Sequence, residues 1–146
     1  MDPAIFIDRA TGEIRIDEVC LLTPYAAKTS VEPQVASLLA GSRDNGNGYE
    51  WLDLHGLTFG GEEASLSLCF HDGRLSEASW SVQLAGAPIE GDWPTKKEID
   101  SELAFVRTTL AKVMGIKAGK MPWGEVWCQF DARGDTASNG LRYRSA

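Results

Sequence analysis

Residues 64–84 read Ala-Ser-Leu-Ser-Leu-Cys-Phe-His-Asp-Gly-Arg-Leu-Ser-Glu-Ala-Ser-Trp-Ser-Val-Gln-Leu, the clearest strand pattern in the chain. Apolar and small polar residues alternate on both sides of the His-Asp-Gly segment. Successive side chains of a strand point to opposite faces, so the alternation predicts two antiparallel strands with one buried face. Apolar matching across the turn favours a three-residue loop at 71–73, which pairs Leu66 with Ala78.

Other strands are expected on both sides of this hairpin. Apolar residues alternate with polar ones in each of them, and turn-forming residues separate them. In the tail, the apolar positions 126, 128 and 130 precede a polar loop at 131–140. Hairpins or strands are predicted at 4–16, 49–55 and 126–143, and loops at 42–48 and 85–94.

A long amphipathic helix is predicted over residues 95–114. It begins with a capping box, Thr95-Lys96-Lys97-Glu98, and Gly115 follows its end. A short helix is expected near 31–40. The apolar stripe of the long helix is Ile99, Leu103, Val106, Leu110 and Val113. The fold class is therefore α+β: an antiparallel sheet of hairpins with the 95–114 helix packed on it.

The length and composition indicate a single globular domain over residues 1–146. Hydrophobic residues make up 43% and charged residues 24% of the chain, which excludes a disordered or collagen-like protein. The formal charge of −7 disfavours nucleic acid as a partner. We find no signal peptide and no apolar run that could span a membrane. The three cysteines are far apart, so a reducing cytoplasm is the expected location.

No set of residues in the sequence points to catalysis, a metal or a cofactor. The two histidines, His55 and His71, have no partners at metal-ligand spacing. Cys69 could be imagined as a nucleophile beside either of them, but its neighbourhood lacks the positive charge that activates a thiolate. We therefore expect a protein that is not an enzyme. A small enzyme or ligand-binding domain, with a pocket between the helix and the sheet, is one alternative, and a structural subunit of a larger assembly is another.

Acidic residues are concentrated in the middle of the chain. From Asp44 to Thr95 there are nine acidic residues and one basic residue, Arg74, for a net charge of −8. This region is either a solvated face or a docking surface for a basic protein. Trp51 and Trp127 fall on the more polar faces of their strands and could anchor an interface. The candidate partner-binding residues are Asp44, Glu50, Trp51, Asp53, Glu62, Glu63, Glu77 and Trp127.

Several short segments resemble a family of small bacterial proteins. They are Thr-Gly-Glu-Ile at 11–14, the central residues 66–75, Pro-Trp-Gly-Glu-Val at 122–126, Phe-Asp at 130–131 and Leu-Arg-Tyr at 141–143. Such proteins resemble the immunity partners encoded beside bacterial toxins. The resemblance implies an immunity protein and supplies no catalytic residue. We therefore predict a protein, monomeric or homodimeric, that neutralises a cognate toxin by occluding its active site.

Overall fold

Ten strands and two helices lie in the residues that the computed structural model describes, 2–17, 20–84, 95–133 and 136–144. The strands are β1 (Ile5–Ile7), β2 (Ile14–Ile16), β3 (Cys20–Leu22), β4 (Leu39–Asp44), β5 (Tyr49–Phe59), β6 (Glu62–His71), β7 (Arg74–Gln83), β8 (Gly119–Met121), β9 (Gly124–Asp131) and β10 (Thr136–Tyr143). The helices are α1 (Lys28–Val35), which continues into a 3₁₀ turn (Ala36–Leu38), and α2 (Lys96–Thr109), which continues into a π-helical turn (Leu110–Met114).

The strands form two antiparallel sheets, which confirms the α+β class. The large sheet has seven strands in the order β4-β5-β6-β7-β10-β9-β8, and the small sheet has the order β1-β2-β3. Helix α2 packs on β7, β9 and β10. Buried side chains from both sheets and both helices form one continuous core. Among the described residues, no helix is both long and apolar enough to cross a membrane.

The central hairpin differs from its predicted register. Asp72 and Gly73 form a two-residue turn, with φ angles of 49° and 79°. Such a turn matches the twist of the flanking strands. Leu66 pairs with Trp80, not with Ala78, and the register shifts by one residue between Cys69 and Phe70. The prediction of a three-residue loop was therefore wrong. A bulge in β7 contains one more residue than the paired segment of β6, and it keeps the apolar side chains on one face although the turn has only two residues.

Helix α2 begins and ends as predicted but changes its period near the end. The Thr95 hydroxyl accepts a hydrogen bond from the Glu98 backbone amide at 3.2 Å, and Gly115 is left-handed with φ 69°. Val113, predicted to lie in the apolar stripe, is 59% exposed, and Met114 is buried instead. The π-helical turn explains this, because it holds more residues per turn than an α-helix and so rotates the end of the stripe.

The short helix and the segment after it also differ from the prediction. Helix α1 begins at Lys28, and its N-cap, Ala27, makes no side-chain capping bond. Leu39–Asp44 is an edge strand, although part of it was expected to be helix and part to be loop. As an edge strand, β4 has no buried side chain, so it carries no apolar pattern from which the sequence could predict it.

The tail hairpin is confirmed, with a shorter loop than predicted. Val126, Cys128, Leu141 and Tyr143 are buried. Strand β10 begins at Thr136, within the segment predicted to be loop, and Phe130, at an apolar position of the pattern, is 48% exposed. The short strand β8 was not predicted. The predicted loop at 85–94, which includes Trp93, lies outside the described residues.

Side chains near the C-terminus hold the β1–β2 turn against the large sheet. The buried Tyr143 hydroxyl donates to the Gly12 carbonyl at 2.6 Å, and the Trp123 indole donates to the Arg9 carbonyl at 2.9 Å. The rings of Trp123 and Tyr143 contact edge to face, with centres 5.8 Å apart. The Pro-Trp-Gly-Glu-Val and Leu-Arg-Tyr segments therefore join the two sheets.

We predict that Gly12→Ala destabilises the protein more than Gly61→Ala. Both glycines have positive φ angles, 77° and 87°, so alanine costs about 1 kcal/mol at either position. At Gly12 the added methyl group also meets the Trp123 ring at 2.5 Å, whereas at Gly61 nothing lies within 4 Å. Overpacking of this kind costs about 1–3 kcal/mol more. Urea denaturation measures the difference, and equal losses in the two variants would contradict the Trp123 contact.

Candidate functional site

Strand pairing divides the large sheet into two faces. Residues directly opposite each other on paired strands share a face. Leu52, Leu68, Ala78, Leu141 and Val126 are paired in sequence across five strands and are all buried. They lie on the side that α2 covers. The opposite side, which we call the outer face, carries mostly half-buried and exposed side chains.

One row of paired residues crosses all seven strands on the outer face. We call it the ionic row: Arg43, Trp51, Cys69, Glu77, Arg142, Glu125 and Lys120. In it, Arg142 bonds Glu77 at 2.8 Å and lies 3.6 Å from Glu125. The hydrogen bond to Glu77 raises the pKa of Arg142 above its ordinary value. Opposite charges directly across paired strands stabilise the sheet, so the register fixes this row.

Two tryptophans on the outer face each lie under an arginine. The Arg43 guanidinium is 5.2 Å from the Trp51 ring centre and 3.5 Å from Asp53. The Arg142 guanidinium is 5.6 Å from the centre of the Trp127 ring. Each arginine thus joins an aromatic ring to a carboxylate, which restricts the rotamers of both groups.

The Trp127 ring lies against Gly140 of the neighbouring strand β10. Its indole nitrogen donates to the Ser138 hydroxyl at 3.0 Å. A Cβ atom at Gly140 would collide with the ring, so the missing side chain makes room for it. Both Trp51 and Trp127 are half-buried.

The structure brings together five of the eight candidate partner-binding residues. Trp51, Asp53, Glu63, Glu77 and Trp127 all occupy outer-face positions. The other three, Asp44, Glu50 and Glu62, occupy strand positions of the opposite parity.

Two of those three carboxylates make local contacts away from the outer face. Glu50 bonds the Lys28 ammonium at 2.6 Å, and Asp44 accepts a hydrogen bond from the Gly46 amide at 2.8 Å. The bond to Glu50 raises the pKa of Lys28. The acidic run along the chain is therefore divided between the two faces of the sheet.

A cleft of about 410 Å³ lies beside the ionic row. Tyr49 and His71 stack along it with ring centres 4.4 Å apart, and Trp51, Glu77 and Arg142 also line it. Both bonds from Arg142 reach the same oxygen of Glu77, Oε1. The cleft is therefore lined by aromatic rings and by one carboxylate, that of Glu77.

The structure does not support the imagined nucleophile. Cys69 faces the cleft but is 2% exposed, and burial raises the pKa of its thiol, with nearby Glu77 acting in the same direction. A raised pKa opposes the thiolate that attack requires. His55 lies in a bulge of β5, and His71 approaches Asp72 at 3.7 Å. Within the described ranges, no three metal-binding side chains come together.

The space between α2 and the sheet is packed, with one polar network at its border. Asn139 was not among the candidates, because it lies in the segment that was predicted to be a polar loop, 131–140. Glu102 Oε2 accepts hydrogen bonds from the Val82 amide at 3.2 Å and from the Asn139 side chain at 3.0 Å. The Cys128 thiol donates to Asn139 Oδ1 at 3.1 Å. Burial raises the pKa of Glu102 above its ordinary value, although these two bonds oppose the shift.

Comparison with known proteins finds similarity to a solved structure. No family model and no curated protein matches the chain. A chain in the solved structure of "Rhs1-CT in complex with cognate immunity protein RhsI1" is similar to it, with a TM-score of 0.57 and 13% sequence identity. The similarity covers 97% of this chain and 88% of the other. It shows a shared fold.

We predict that Glu102→Gln raises the melting temperature relative to the wild type at pH 8 and less so at pH 4. The folded state raises the pKa of Glu102, so its favourable contribution is complete below the ordinary glutamate pKa and is lost as the pH rises. Glutamine keeps an oxygen for the Val82 and Asn139 donors and carries no buried charge. Melting curves across this pH range test it.

Glu63→Gln is the matched control, because it removes an exposed carboxylate that lines the same cleft as Glu102. The role of burial would be contradicted if the change in melting temperature caused by Glu102→Gln were the same at every pH and no larger than the change caused by Glu63→Gln.

Proposed function

We propose that this protein is an immunity protein that binds a cognate bacterial toxin in the cytoplasm and blocks its active site without catalysis. The observation that carries the proposal is the shared fold with a chain from a complex of a toxin domain and its immunity protein. The resemblance of the Trp-Gly-Glu-Val and Arg-Tyr segments to such proteins points in the same direction.

The outer face supplies the kind of surface that such binding requires. Tryptophan, tyrosine and arginine dominate the energetics of protein interfaces. Here an arginine packs on each of Trp51 and Trp127, and Trp127 also makes a hydrogen bond, so binding would cost little side-chain entropy. We propose that these two rings are the anchors and that Asp53, Glu63 and Glu77 surround them.

The charge of the protein suits a basic partner. A formal charge of −7 attracts a positively charged toxin surface over distances of about one Debye length and speeds the encounter. It also repels nucleic acid, which a nuclease toxin with a basic cleft would bind. The protein would thus compete for the same cleft.

A second candidate is a small-molecule binding site in the 410 Å³ cleft lined by Tyr49, His71 and Glu77. This volume lies within the range of about 300–1,000 Å³ that is typical of ligand sites. The cleft is on the outer face, whereas the sequence-based alternative placed a pocket between helix and sheet. A ligand that binds there and leaves toxin binding unaffected would favour this candidate.

Co-expression with the product of the adjacent gene tests the proposed function. We expect the neighbour to be toxic alone, harmless when this protein is present, and recovered with it in a one-to-one complex. Calorimetric titration of the two purified proteins then gives the affinity. A harmless neighbour that does not bind would contradict the immunity role.

We predict that Trp51→Ala and Trp127→Ala each weaken toxin binding by at least about thirtyfold, the effect of a loss of about 2 kcal/mol at an interface anchor. Val113→Ala is the control, because Val113 is an exposed apolar residue on the helix side. It should bind like the wild type. If all three variants bind equally well, the outer face is not the interface.

A further inference from the structure

We propose that a serine-lined trough on the outer face receives a lysine- or arginine-rich segment of the toxin. This inference rests on the proposed function and names the part of the face that recognises the partner's charge. We call the feature the serine trough; Ser65, Ser67, Ser79, Ser81 and Ser138 line it.

The trough consists of three clefts that meet at Ser65. Their volumes are about 200, 180 and 260 Å³. The Ser65 and Ser81 hydroxyls are 3.0 Å apart, and the Ser67 hydroxyl donates to Asp53 at 2.8 Å. Small side chains on three adjacent strands leave this part of the face low, while the ionic row with Trp51 stands along one side. The shape fits an extended segment with long side chains.

The charges along the trough have one sign. The lining residues include the carboxylates of Asp53, Glu63, Glu102 and Asp131 and no lysine or arginine. Asp53 is paired with Arg43 of the ionic row. The other three carboxylates form no ion pair among the described residues. An arginine or lysine of the partner would supply the missing positive charge.

The polar side chains that line the serine trough favour a cation of the partner over an apolar side chain. Serine hydroxyls and carboxylates accept hydrogen bonds, and guanidinium and ammonium groups are pure donors. An apolar side chain here would bury these acceptors without partners.

The test compares two double substitutions with the same change in charge. Glu63→Lys with Ser81→Lys puts positive charge into the trough, whereas Asp100→Lys with Thr108→Lys puts it on the exposed side of α2. The titrant is the toxin domain encoded by the adjacent gene. We expect the trough variant to bind about tenfold to a hundredfold more weakly than the wild type. The helix variant should bind nearly as the wild type does.

The possible outcomes separate this inference from the proposed function. If the wild type binds the toxin and both double variants bind equally well, the serine trough is not the recognition site and the immunity role stands. If the wild type does not bind at all, the proposed function fails, and the inference fails with it. Melting curves confirm that the variants fold; if the double variant does not, Glu63→Lys alone replaces it, since Glu63 is exposed.

Discussion

The structure depends on keeping the apolar side of β6 and β7 in register across a tight turn. Side chains alternate with a period of two, so a slip of one residue would move the whole apolar set to solvent. The two-residue turn at Asp72-Gly73 sets the strand twist, and the bulge in β7 corrects the parity, so that both Leu75 and Ala78 are buried. That correction also places Glu77 opposite Arg142 on the outer face, and so creates the ionic row.

Much of the fold could be predicted from local patterns, and the rest needed long-range information. The helix start at Thr95 and the alternation in β6 and β7 are local signals, and the structure confirms the Thr95 cap and both strands. The bulge in β7 and the π-helical turn that exposes Val113 insert a residue without any marker in the sequence. The edge strand β4 has almost no buried side chain and therefore no pattern to recognise.

The candidate site could be predicted only in part, because the number of charges along a segment does not tell to which face of the sheet each side chain points. Glu62 and Glu63 are neighbours in a strand, so their side chains point to opposite faces. Glu50 turns to Lys28 of α1, a contact that depends on the tertiary fold. Trp51 and Trp127, by contrast, were correctly placed on the more polar face, and the structure adds the arginines that hold them. An interface here would use a surface that is ordered before the partner arrives.

The most direct measurement is carbodiimide labelling of carboxylates, read by mass spectrometry, with and without the toxin domain. The account predicts that labelling of Glu63 and Asp131, which line the serine trough, falls sharply in the complex. Labelling of Asp100, on the exposed side of α2, should remain unchanged. Protection of Asp100, with full labelling of the outer-face carboxylates, would contradict the account and place the interface on the helix side.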